Sequence, residues 1–142
     1  MARPGEQDRG SVTSDGPLVL AVEDDARNAA LLRATLERAG YRLAVARSLA
    51  DARAWLGAAR PDLVLLDIGL PDGSGLELAS ELRAHAATAE LPIIVTSARV
   101  MPGDRERAAQ AGCDAFLAKP LRPAELLRAV AERVGTRPSG GE

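Results

Sequence analysis

The chain is poor in aromatic side chains, nearly free of lysine and nearly free of cysteine, and each scarcity removes a class of function. Tyr41, Trp55 and Phe116 are its only aromatics, so the stacking platform that single-strand nucleic acid binders use has almost nothing to be built from. One cysteine, Cys113, forms no intramolecular disulfide and has no metal-site spacing, which accords with a reducing compartment. No apolar run is long enough to span a bilayer, and the N-terminus has no apolar stretch of signal-peptide type. Charge of one sign is also missing: 18 basic residues against 20 acidic ones leave a net −2, with no field to draw in nucleic acid phosphates. The expectation is a cytoplasmic protein that binds neither nucleic acid nor membrane. Of the basic residues only Lys119 is a lysine.

What is present is a core's worth of apolar residues, 46% of 142, which suits one domain of the usual size of roughly 100–150 residues. Residues 1–16 and 136–142 are polar and without period and read as flexible tails around a folded unit at 17–135. Within that unit, short Val, Ile and Leu runs alternate with segments of helical period, the pattern of repeated βα units. Strands are predicted near Leu18 to Val22, Arg42 to Ala46, Leu63 to Leu66, Pro92 to Thr96 and Ala115 to Ala118. The first helix is predicted from Ala26 to Ala39, with Gly40 as its C-terminal cap. The second begins behind Ser48, with Asp51 reaching back in a capping box. Pro71, Gly73 and Gly75 read as a loop before a third helix from Leu76 to His85. Pro102 and Gly112 bracket the fourth helix, and Pro123 opens the fifth. The expected fold is doubly wound α/β, (βα)5, with a five-stranded parallel sheet of order 2-1-3-4-5 and helices on both faces.

Parallel strands all end on one edge, where ligands bind in doubly wound folds. On that edge the sequence places Glu23 and Asp24 after strand one, Asp67 after strand three, Thr96 and Ser97 after strand four, and Lys119 after strand five. Strand two ends in Ala46 and Arg47 and offers no comparable group. Carboxylates this close repel one another unless a cation joins them, and hard oxygen ligands with room for water suit Mg2+. A carboxylate is also a nucleophile toward phosphorus, with Lys119 and Ser97 as the charge and the donor for the phosphoryl oxygens. The chemistry implied is phosphoryl transfer onto an aspartate.

With these residues the chain resembles the receiver domain of two-component response regulators, the CheY-like fold, over nearly all of Leu18 to Val134. The resemblance implies that Asp67 accepts a phosphoryl group from a histidine kinase or a histidine phosphotransfer protein. It implies that Glu23, Asp24 and Asp67, with the backbone carbonyl of Gly69, hold Mg2+. Ser97 and Phe116 would be the switch pair, Phe116 standing where many relatives carry tyrosine, and the Lys119–Pro120 peptide would be cis. The face of helix four, strand five and helix five would meet a downstream partner, the protein being a monomer or a phosphorylation-dependent dimer. With no room for an effector domain before Glu142, a stand-alone receiver is expected, a switch whose only turnover is self-phosphorylation from small phosphodonors and autodephosphorylation. The segment from Ala98 to Cys113 is similar to single-domain regulators of cell fate and to receivers of hybrid kinases.

Other readings are open. A haloacid-dehalogenase-like phosphatase also uses a nucleophilic aspartate and Mg2+, but it wants a second aspartate two residues on, where this chain has Gly69. A phosphorylation-independent adaptor is the third class, although such adaptors commonly lack part of the acidic or lysine set. Gly73-Ser74-Gly75 reads as a turn rather than a phosphate loop. His85 reads as a solvent-facing residue, Trp55 as helix-two packing, and Cys113 as a small core residue.

Overall fold

A computed structural model describes residues 16–134; the expected tails, 1–16 and 136–142, lie outside them except for Gly16. Gly16 is buried, and its carbonyl accepts a 2.8 Å bond from Arg42 Nε.

Five parallel strands alternate with five helices: β1 Leu18–Val22, α1 Ala26–Arg38, β2 Arg42–Ala46, α2 Leu49–Ala58, β3 Leu63–Asp67, α3 Gly75–Ala84, β4 Ile93–Ser97, α4 Asp104–Gln110, β5 Ala115–Ala118 and α5 Pro123–Val134. The sheet runs β2-β1-β3-β4-β5, so consecutive strands reverse direction of travel across the sheet after β2, at the β1/β3 boundary. Successive side chains of a strand face opposite sides, and each side has its own core. Leu20, Val22, Val64, Leu66, Ile93 and Val95 pack with Leu49, Ala52, Leu56, Leu78, Ala79, Leu82 and Ala108 of α2, α3 and α4. Val19, Ala21, Leu63, Leu65 and Ile94 pack with Leu32 and Leu36 of α1 and Leu126 and Val130 of α5. Every residue of β3 is buried, as a central strand covered on both faces requires. Trp55 of α2 packs on the first core.

Helix ends follow local chemistry. Asp25 caps α1 by accepting the Asn28 N–H at 3.0 Å, and Gly40, at φ +97°, turns the chain from α1 into β2. Ser48 caps α2 through the Asp51 N–H at 3.0 Å, but Asp51 makes no return bond among the described residues. Instead Asp72, from the loop after β3, takes the Leu49 and Ala50 N–H groups at 2.8 and 3.0 Å. That loop contains a two-residue antiparallel ladder, Gly69 opposite Ser74 and Leu70 opposite Gly73, and α3 starts at Gly75 behind a Ser74 cap. Pro102 does not open α4. Gly103, at φ +85°, holds the cap position, and the Asp104 carboxylate turns back to accept the Met101 N–H at 2.7 Å. The helix therefore begins two residues later than the proline suggests.

Candidate functional site

The carboxyl edge of the sheet brings Glu23, Asp24 and Asp67 together, each offering an oxygen within 4.8 Å of the others. β1 delivers the first two and β3 the third, and the parallel register that sets Val22 beside Leu66 makes them neighbours. Glu23 and Asp67 are only 3% and 7% exposed, whereas Asp24 stands in solvent at the mouth. Lys119, at the end of β5, reaches between the two buried carboxylates, with Nζ 2.7 Å from Glu23 Oε1 and 3.0 Å from Asp67 Oδ2. Asp67 Oδ1 accepts the Gly69 N–H at 3.2 Å, and Glu23 Oε2 accepts the Asp25 N–H at 3.1 Å.

Sharing sets the electrostatics. Burial raises the Asp67 carboxyl above its ordinary value, and the nearby Glu23 charge adds to this; the bonds from Lys119 and Gly69 offset only part. Burial also opposes the charge on Lys119, but two carboxylates in contact outweigh it, and its pKa is raised. One ammonium serves two anions, so the ammonium is well satisfied and each carboxylate only half so. With Asp24 added, three carboxylates, all hard oxygen donors, surround the single Lys119 ammonium. This is a donor set that fits a divalent cation such as Mg2+.

Around this cluster, Ser97 is buried, and its hydroxyl donates to the Arg99 carbonyl at 3.0 Å. The Lys119 N–H donates to the Ser97 carbonyl at 2.8 Å, which ties the ends of β4 and β5 together, and the Lys119–Pro120 peptide is cis. Phe116 is half-buried, with the Arg105 guanidinium 4.6 Å from its ring centre. A Cβ at Gly75 would sit 2.2 Å from the Asp67 carbonyl oxygen, so only glycine lets α3 start this close behind β3. Gly69 has open space where a side chain would stand.

Two residues at this edge escape a reading of the sequence. Arg47, at the end of β2, donates to the Asp24 carbonyl at 3.0 Å and so steadies the exposed acid. Asp72 ties the loop after Asp67 to α2. Neither has a periodic signal; only the strand order, which places β2 beside β1, points toward Arg47. Outside the edge, burial pushes the Cys113 thiol up to about 11, which makes it a packing residue rather than a nucleophile at neutral pH. His85 lies exposed just past α3.

A doubly wound parallel sheet with acids and a lysine gathered on its carboxyl edge defines the class of CheY-like signalling domains. Within that class the chain belongs to the response regulator receiver domain family, whose model matches residues 19–131. It is 35% identical over 117 residues to the polar-differentiation response regulator DivK of Brucella anthropi, covering 82% of this chain and 95% of that one. Among solved structures it is similar to a putative response regulator from Chloroflexus aurantiacus, at TM-score 0.81 and 31% identity over 84% of this chain and 98% of that one. It is also similar to the receiver domain of the sensor histidine kinase PA1611 from Pseudomonas aeruginosa, which has a magnesium ion coordinated in its active site cleft. There the TM-score is 0.77, with 35% identity over 84% of this chain and 98% of that one. The chain is thus a receiver domain of two-component signalling. No helix among the described residues is long and apolar enough to cross a membrane.

Proposed function

We propose that this receiver is a phosphoryl-accepting switch in which Asp67 takes the phosphoryl group from a histidine kinase or a histidine phosphotransfer protein. The observation that carries the reading is the Lys119 ammonium shared between Glu23 and Asp67 beside the exposed Asp24. Asp24, Asp67 and the Gly69 carbonyl would hold Mg2+. Glu23, whose two oxygens already accept Lys119 and the Asp25 N–H, completes the negative field. A bound Mg2+ would neutralise charge on the transferring phosphoryl oxygens.

In transfer, an Asp67 carboxylate oxygen forms the new O–P bond as the P–N bond to the donor imidazole breaks. The imidazole nitrogen leaves with that bond's electron pair and is protonated from solvent. Lys119 exchanges its contact with Asp67 for a phosphoryl oxygen. Ser97 gives up the Arg99 carbonyl and donates its hydroxyl to another. Phe116 then turns inward from beneath Arg105, and the face of α4, β5 and α5 changes shape for a downstream protein in the cytoplasm. Such a shift requires the phosphoryl group to favour one of two packings that already exist. Turnover is confined to self-phosphorylation from small donors and slow autodephosphorylation.

Intact-mass spectrometry after incubation with acetyl phosphate and Mg2+ tests this, with Asp67→Asn alongside. A single Mg2+-dependent phosphoryl adduct, absent from Asp67→Asn, is expected. An equal adduct in the variant would remove Asp67 from the role. No adduct in the wild type, from acetyl phosphate or from a phosphorylated kinase, would favour a phosphorylation-independent adaptor.

A further inference from the structure

We propose that Asp72 is a positioning residue for the carboxylate site: by clamping the loop after Asp67 onto the first turn of α2, it sets where Gly69 presents its carbonyl. The inference rests on the Mg2+-holding reading of the site and adds to it a residue that touches neither metal nor phosphoryl group.

The loop between Asp67 and α3 is short and closely held. The ladder pairs Gly69 with Ser74 and Leu70 with Gly73, the Gly75 N–H donates to the Ile68 carbonyl at 2.8 Å, and the Gly69 N–H donates to Asp67 Oδ1. All these bonds lie within the loop or join it to its own flanks. Asp72, at the tip, supplies the loop's polar tie to α2 among the described residues, with one carboxylate oxygen on the Leu49 N–H and the other on the Ala50 N–H, at 2.8 and 3.0 Å. Beside it, Gly73 adopts φ +147° and lies so close to Leu49 that a Cβ would come within 2.9 Å of Leu49 Cδ1. The loop is therefore tied to α2 at Asp72, two residues beyond Leu70 and three beyond Gly69, and runs close against it at Gly73.

Ser48 takes only the Asp51 N–H at the start of α2, which leaves the Leu49 and Ala50 N–H groups without an intrahelical partner; Asp72 satisfies both from 22 or 23 residues away, so one carboxylate caps the helix and ties the loop to it at once. The bonds to Leu49 and Ala50 hold the Asp72 carboxyl below its ordinary value, so the clamp stays ionised at neutral pH. Removing a group that holds a metal ligand in place without touching the metal commonly costs about 10- to 100-fold in affinity.

The test compares the full chain with Asp72→Ala, Asp72→Asn and Ser48→Ala. Mg2+ binding is followed by calorimetry, and amide hydrogen exchange is followed at Gly69 and Gly75. Ser48→Ala removes a cap from the same helix end without touching the loop, so it lowers stability with Mg2+ affinity unchanged. Asp72→Ala should weaken Mg2+ binding by about tenfold and speed exchange at Gly69 and Gly75, and Asp72→Asn, which keeps one acceptor oxygen, should fall between it and wild type. Mg2+ affinity and exchange both unchanged in Asp72→Ala would overturn the proposal. So would an equal loss of affinity in Ser48→Ala, which would assign the effect to α2 stability alone. Wild-type protein that takes up no Mg2+ would bring down the metal reading itself, and loop exchange in Asp72→Ala would then decide whether Asp72 holds the loop.

Discussion

The two edges of the sheet use the same residue types to opposite ends. At the edge where the strands begin, two carboxylates are spent on the first donors of strands. Asp62 accepts the Leu18 N–H at 2.7 Å and Asp114 accepts the Ile93 N–H at 2.8 Å. Arg83 of α3 completes that edge by donating to the Gly112, Thr88 and Leu91 carbonyls and to Asp114 Oδ2. Charge there is consumed by structure. At the edge where the strands end, carboxylates are gathered against one another with a single ammonium between them. An isolated domain gains nothing from crowding three carboxylates around one ammonium, so the cluster points to a cation that arrives.

If the two edges are separate in kind, a lesion at one should change stability and a lesion at the other chemistry. The largest effect is expected from Arg83→Ala, which leaves Asp114 and three carbonyls without their donor. It should cost about 3 kcal/mol of unfolding free energy, measured by urea denaturation, while the acetyl phosphate adduct forms as in wild type under conditions where the variant is folded. Loss of the adduct in folded Arg83→Ala would show that the edges are coupled.

Lys119→Met should come next. In Mg2+-free buffer it leaves Glu23 and Asp67 facing each other in a buried setting, at a cost of about 2 kcal/mol, and saturating Mg2+ should recover part of that loss by binding the native state. A melting curve that does not respond to Mg2+ would argue against the cluster as a cation site.

The smallest effect follows from the raised carboxyl of Asp67. A carboxyl whose folded pKa lies above its unfolded value of 3.8 adds stability below that value and loses the contribution as pH rises through the folded one. The charged group is therefore a burden at neutral pH. Without Mg2+, Asp67→Asn should melt slightly higher than wild type at neutral pH, and the gap should narrow as pH falls toward the carboxyl's own range. A gap that widens on acidification would reverse the assignment.

Much of this was legible in the sequence because the signal was periodic or positional. Runs such as Leu63-Val64-Leu65-Leu66 mark buried parallel strands, and parallel strands bring their ends together, so Glu23, Asp24, Asp67, Ser97 and Lys119 fall on one edge from their places after the strands. What escaped depends on contacts with no period. Arg47 reaching the Asp24 carbonyl, Asp72 reaching α2 and the fourfold bonding of Arg83 join residues up to 31 apart through side chains pointing across gaps between elements. A proline is a frequent first residue of a helix, which puts the expected start of α4 at Pro102, whereas Gly103 takes the left-handed turn and Pro102 stays outside.

Lys119 is also the only lysine in the chain, and it bridges the buried carboxylates. Protein grown on isotopically labelled lysine would therefore show a single side-chain ammonium resonance, and that resonance would belong to the centre of the edge. Spectroscopically the chain comes with its own site-specific probe, placed by composition alone.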